Sequence, residues 1–130
     1  MRGHRNLALG LLWPLGVAEP MLERMIDSTL ACQRPDGLFD DGSMCANMDA
    51  VHLLSEYGLR TGHRCAETVA ANRRCVSAIF EKLSDSSGGF RYELDESPET
   101  ARLTNGTAFV LHTLRYWQAI DPEARRNLPV

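Results

Sequence analysis

Apolar residues recur along most of this chain at steps of three and four, the spacing of one helix face. Leu22, Met25, Ile26 and Leu30 form such a stripe opposite Glu23, Arg24 and Asp27, which predicts an amphipathic helix over Met21 to Gln33, opened by Glu19-Pro20. Pro35 and Gly37 stop it. Ala50, Val51, Leu53, Leu54 and Tyr57 then cover a wide arc. The second helix, with Asn47 as N-cap and Asp49 in its first turn, is expected to meet neighbours on more than one side and to end near Gly58. Beyond Thr61-Gly62-His63, residues Cys65, Val69, Val76, Ile79, Phe80 and Leu83 make one stripe of a third, half-exposed helix. Asp85 to Glu99 is rich in Ser, Gly and acidic residues and reads as a loop with a brief extended segment near Glu93. The last helix begins between Ser97 and Asn105. Its run of Ala108, Phe109, Val110, Leu111, Leu114, Tyr116, Trp117 and Ile120 is apolar almost all round, the pattern of an enclosed helix. Asp121-Pro122 ends it, and residues 121–130 are expected to fray.

Ahead of these elements, Leu7 to Val17 reads as a short core helix kinked at Pro14. Arg2 and Arg5 before the run, with Gly16-Val17-Ala18 after it, also mimic a secretory signal cleaved near Ala18. The core-helix reading implies a cytoplasmic protein; the other implies secretion. At about 12 residues with a proline, the run is too short for a membrane span of roughly 20.

The pattern repeats. Asp36-Gly37-Leu38-Phe39 aligns with Ser87-Gly88-Gly89-Phe90 at an offset of 51, and Asn47-Met48-Asp49-Ala50 aligns with Asn105-Gly106-Thr107-Ala108 at 58. Each unit is an amphipathic helix, a glycine-aromatic loop and a more apolar helix, the sequence form of stacked helical hairpins with an outer and an inner layer. Gly37, Gly88 and Gly89 allow tight or left-handed backbone, and Phe39 and Phe90 plug the gap between hairpins.

Composition narrows the class. The chain has 130 residues, 44% hydrophobic and 24% charged, enough for a single domain over residues 1–130 with its own core. A net charge of −3 with interspersed signs leaves no basic stripe for nucleic acid. Cys32, Cys45, Cys65 and Cys75 stand singly without a Cys-x-x-Cys pair and read as free thiols.

On Gln33, Asp36, Gly37 and Phe39, and the weaker Gly88, Gly89 and Phe90, the chain resembles the prenyltransferase and squalene-cyclase repeat of α/α-toroid proteins. It is also similar to uncharacterised bacterial toroid proteins in which a Gln-Arg-Pro-Asp-Gly-Leu-Phe loop precedes an Asp-Ala pair, here Asp49-Ala50. The resemblance runs from about Met21 to Trp117. It implies an all-α fold, an incomplete α/α toroid of about five helices in two and a half repeats. A full toroid has about five to seven hairpins of ~50 residues. A partial one belongs to a longer chain, is a truncated form, or completes itself as a homo-oligomer. The implied activity is part of an enzyme acting on a carbohydrate or isoprenoid; the alternative is a non-catalytic binding or self-association module.

In toroid enzymes the reactive groups gather where loops meet inner-helix N-termini, a place that also suits anions. Asp40, Asp41, Asn47, Asp49 and His52 occupy it in the first unit, and Arg91, Tyr92, Glu93, Asp95 and Asn105 in the second. Asp40-Asp41 is a candidate acid and base pair, but an Asp-Asp-x-x-Asp diphosphate site would need a carboxylate at Met44. Asp49 and His52 share a helix face and, with Cys45, approach the zinc set of protein prenyltransferases at a different spacing. No metal and no cofactor is assigned. His4, His63 and His112 have no sequence partners, and neither Ser43 nor Ser87 lies in a Gly-x-Ser-x-Gly elbow.

Overall fold

Leu22, Ile26 and Thr29 are the buried positions of α1, Glu19–Leu30, so the three-four stripe does face inward, and Pro20 lies in the first turn where its missing N–H costs nothing. The computed structural model describes residues 18–86, 88–97, 100 and 106–127. Among them α2 spans Met44–Thr61, α3 Cys65–Lys82, α4 Gly106–Ile120 and α5 Pro122–Asn127. The expected helix over Leu7 to Val17, the signal-like site at Ala18 other than that residue itself, and Asn105 lie outside the described residues. Among those described there is no strand, only two isolated bridges.

Helix α2 is the centre of the molecule. It packs on α1, α3 and α4, and Val51, Leu54 and Tyr57 are almost wholly buried, as its wide apolar arc requires. Two of its expected bounds shift. Ser43, not Asn47, is the N-cap, its hydroxyl accepting from Ala46 N. The helix also runs past Gly58 to Gly62, which adopts the left-handed conformation (φ 70°) that ends helices. Gly58 is instead an interior contact point, because a Cβ there would press on Ile120 and Thr68. Asp49 consequently sits in the second turn, beyond the reach of the first-turn dipole effect.

On α3 the buried face is Thr68, Ala71, Asn72, Cys75, Val76, Ala78 and Ile79. It is rotated toward small and polar residues relative to the expected stripe, and Phe80 is 45% exposed, its ring edge-on to Phe90. Asn72 reaches across to α2, donating from Nδ2 to Ser55 Oγ at 3.1 Å. That polar contact stands in for apolar packing on this face.

The two loops share one backbone design. Gln33 bridges to Phe39 and Ser84 to Phe90, each pair 51 residues from its counterpart. Arg34 N donates to Leu38 O and Asp85 N to Gly89 O; Gly37 N donates to Arg34 O and Gly88 N to Asp85 O; Asp40 N donates to Cys32 O and Arg91 N to Leu83 O. Gly37 (φ 99°) and Gly88 (φ 89°) hold the same left-handed position. The offset of 51 read from the sequence therefore holds atom for atom. The helix offset does not hold at 58: Phe39 N donates to Asn47 Oδ1, and the matching Phe90 N donates to Thr107 Oγ1, 60 residues on.

Gln33 joins the first loop to the next hairpin. Its Nε2 donates to Gly37 O and to Ala71 O of α3, both at 2.8 Å, while Oε1 accepts from Arg74. Asp121, wholly buried, makes the other joint. Arg73 of α3 donates to both its oxygens, Trp117 Nε1 adds a third hydrogen bond, and Glu123 N a fourth that starts α5. This is why a short helix forms over residues expected to fray.

Helix α4 departs most from expectation. Val110, Thr113 and Ile120 are buried, but Leu111 is 59% exposed and Ala108 lies open, so only part of this apolar helix is enclosed by described residues.

Candidate functional site

The far end of the first loop meets the second loop at the start of α2. Met44 N, one of the donors a helix N-terminus leaves unpaired, gives its proton to Tyr92 O at 2.8 Å. Asp41 Oδ1 accepts from Ser43 N, and Glu96 Oε2 accepts from both Tyr92 N and Glu93 N. These bonds hold open a shallow cleft of roughly 310 Å³ lined by Asp41, Ser43, Glu93, Leu94 and Asp95. Three of its lining residues are carboxylates, and Arg91 donates to the backbone oxygen of a fourth, Leu94.

The Met44 and Ala46 N–H groups at the α2 N-terminus are both engaged within the protein, the first by Tyr92 O and the second by Ser43 Oγ.

Several candidate residues have structural work. Asn47 is fully buried; its Oδ1 accepts from Phe39 N at 2.8 Å and its Nδ2 donates to Gly42 O at 3.1 Å, so it pins the loop to α2. Arg91 donates to Leu94 O and to Lys82 O, placing a cation on the C-terminal end of α3 where the helix dipole favours it. Gln33 and Gly37 fix the first loop against α3: a Cβ on Gly37 would come within 2.8 Å of Arg74 O. Phe39 is the buried plug its place implied, whereas Phe90 is only half-buried.

Asp40 adopts a left-handed conformation (φ 52°) at the position of the repeat that Arg91 fills in the second loop. It does not line the cleft with its neighbour Asp41.

Behind the cleft, Cys45 faces Asp49 Oδ2 at 3.9 Å and the Tyr92 hydroxyl. Burial, reinforced by Asp49 and Asp41, raises the Cys45 thiol, and burial raises Tyr92 to about 12, next to Cys45. Both are therefore protonated at neutral pH, which removes Cys45 as a thiolate nucleophile. Cys75, buried against Asn47, is pushed up further by the same desolvation. All four cysteines are free.

His52 points elsewhere. Its Nε2 lies 2.7 Å from Glu56 Oε2, and its ring stacks on Tyr116 of α4 with centroids 4.0 Å apart and planes 8° from parallel. Among the described residues no group of three or more His, Cys, Asp or Glu side chains is arranged around a metal-sized site, so the Cys45, Asp49 and His52 set does not converge.

A second cleft, of about 400 Å³, lies on α4 and is lined by His112, Arg115 and Tyr116. Nothing in the residue pattern pointed to it, because His112 has no apparent partner in the sequence.

No family model matches the chain, and no curated protein and no solved structure matches it either. None of the described helices is long and apolar enough to cross a membrane.

Proposed function

We propose that the protein is a non-catalytic module of helical hairpin repeats, of the α/α-toroid kind, that binds through its helix faces. The observation that carries this reading is the loop design repeated bond for bond at an offset of 51, with Gln33 clamping one hairpin to the next. Residues that would serve catalysis at the inner-helix ends serve that joint instead: Asn47 and Arg91 are spent on backbone groups, and Cys45 is held protonated.

The second reading is an enzyme acting on a carbohydrate or isoprenoid. It is favoured by the three carboxylates of Asp41, Glu93 and Asp95 around one cleft. Amide spectra of labelled protein, recorded with a linear oligosaccharide and then with a prenyl diphosphate, separate the two. The module reading expects the Asp41, Ser43 and Glu93 to Asp95 resonances to stay in place; saturable shifts there establish the enzyme reading. Repeat design has its own check. Replacing Asp85 to Gly89 by the five residues Arg34 to Leu38 is expected to keep the fold and stay within ~1 kcal/mol of wild type. Loss of cooperative unfolding would refute equivalence of the loops.

A further inference from the structure

Aligned by their matching loop bonds, α2 and α4 are equivalent at an offset of 60, which pairs Val51 with Leu111, His52 with His112 and Ser55 with Arg115. On α2 this face is covered by the following hairpin. Val51 is fully buried, Ser55 takes a hydrogen bond from Asn72, and the His52 ring is stacked by Tyr116. On α4 the same face is open among the described residues: Leu111 is 59% exposed, and His112 and Arg115 line the cleft beside Tyr116. A face that the fold covers on one helix is thus uncovered by described residues on its counterpart.

Charge identifies what fits it. From Gly106 to Ile120, α4 carries no Asp or Glu, and Arg115 makes no ion pair among the described residues. The first cleft is the converse, with Leu94 flanked by Asp41, Glu93 and Asp95, none of which is ion-paired among the described residues. One surface sets the apolar Leu111 beside Arg115, the other sets Leu94 among three carboxylates. Such surfaces attract and orient each other. We propose that the open α4 face binds a second copy of this chain, with Leu111, His112 and Arg115 of one copy seated against Leu94 and the Asp41, Glu93 and Asp95 carboxylates of the other. The inference rests on the repeat-module reading. Because the two surfaces differ, the contact is head-to-tail, and self-association either closes into a ring or continues.

The test uses sedimentation velocity on the full chain in low salt up to millimolar concentration. Wild type is expected to self-associate, more weakly as salt rises. Arg115→Glu, and separately the double variant Glu93→Lys with Asp95→Lys, each lower the association constant roughly tenfold or more. All three positions are exposed, so circular dichroism is expected to be unchanged. Mixing the two variants decides the matter. Arg115→Glu keeps the acidic surface and the double variant keeps α4, and the swapped charges also match each other, so the mixture is expected to associate where neither variant does alone. A monomeric wild type, or a mixture that does not pair, overturns the proposal; an association lost only on Leu111→Asp also overturns it, in favour of α4 packing on its own symmetry mate. Failure here with the loop exchange still folded leaves the repeat-module reading standing.

Discussion

Asn47 shows how one side chain can be conspicuous in a sequence and its task invisible there. An Asn ahead of an apolar arc reads as an N-cap, yet Ser43 caps α2 and Asn47 faces backward to satisfy one donor and one acceptor of the preceding loop. Local spacing supports either role; only the loop's return path selects one. Asn47→Ala leaves Phe39 N and Gly42 O buried without these partners and is expected to cost about 2–3 kcal/mol in urea unfolding. Asn47→Asp keeps the acceptor but turns a buried carboxylate oxygen toward Gly42 O, and should lose at least as much as the alanine variant. Equal stability of Asn47→Ala and wild type would contradict this role. Phe39, in contrast, was legible, because an aromatic next to glycines between two apolar stripes has few places to go but the core.

At the scale of elements, helix identity followed from periodicity, but the environment of each helix did not. The apolar run of α4 implied enclosure, and composition cannot say whether the neighbour belongs to the same chain. The end of α4 at Asp121-Pro122 was legible, but the helix α5 beyond it was not: Arg73 and Asp121 are 48 residues apart, and nothing local pairs them. The Arg73 guanidinium, helped by Trp117 Nε1–H and Glu123 N–H, outweighs the desolvation of Asp121 and holds its carboxyl at about 2. A carboxyl depressed in the folded state stabilises fully above its unfolded pKa, and that contribution fades as pH falls through the folded one. From about pH 4 down to about pH 2 the protein should lose roughly 1–2 kcal/mol, discounted because Arg73 is half in solvent. Urea midpoints across this window are expected to fall more steeply for wild type than for Asp121→Asn. Parallel curves would show that the latch does not operate.

For the whole molecule, the repeat was readable where geometry is most restrictive. Glycine and aromatic positions in the loops are tied to backbone conformation, so they keep their spacing; the helices that follow tolerate slippage of the kind seen between offsets 58 and 60. The acidic cleft was also foreshadowed, since Asp41, Glu93 and Asp95 all lie in the loops ahead of apolar helices, although its seat against α2 depended on Tyr92 O accepting from Met44 N. The α4 cleft had no such trace.

Gln33 has a further consequence. The first loop is bound by Gln33 to a main-chain oxygen in the middle of α3, whereas Ser84, at the same place in the second loop, turns its hydroxyl back to Phe80 O of its own helix. Opening the first loop must therefore disturb both hairpins, while the second, held to α4 at Phe90 and to α2 at Tyr92, can open at its Asp85 to Gly89 turn alone. Amide hydrogen exchange is expected to register this difference. The Arg34 and Gly37 amides should exchange only through global unfolding, and those of Asp85 and Gly88 through faster local opening. In Gln33→Ser the two pairs should come to exchange at similar rates. Two loops of nearly identical backbone geometry would then differ in lifetime because of a single carboxamide, and the first would report on the integrity of the entire fold.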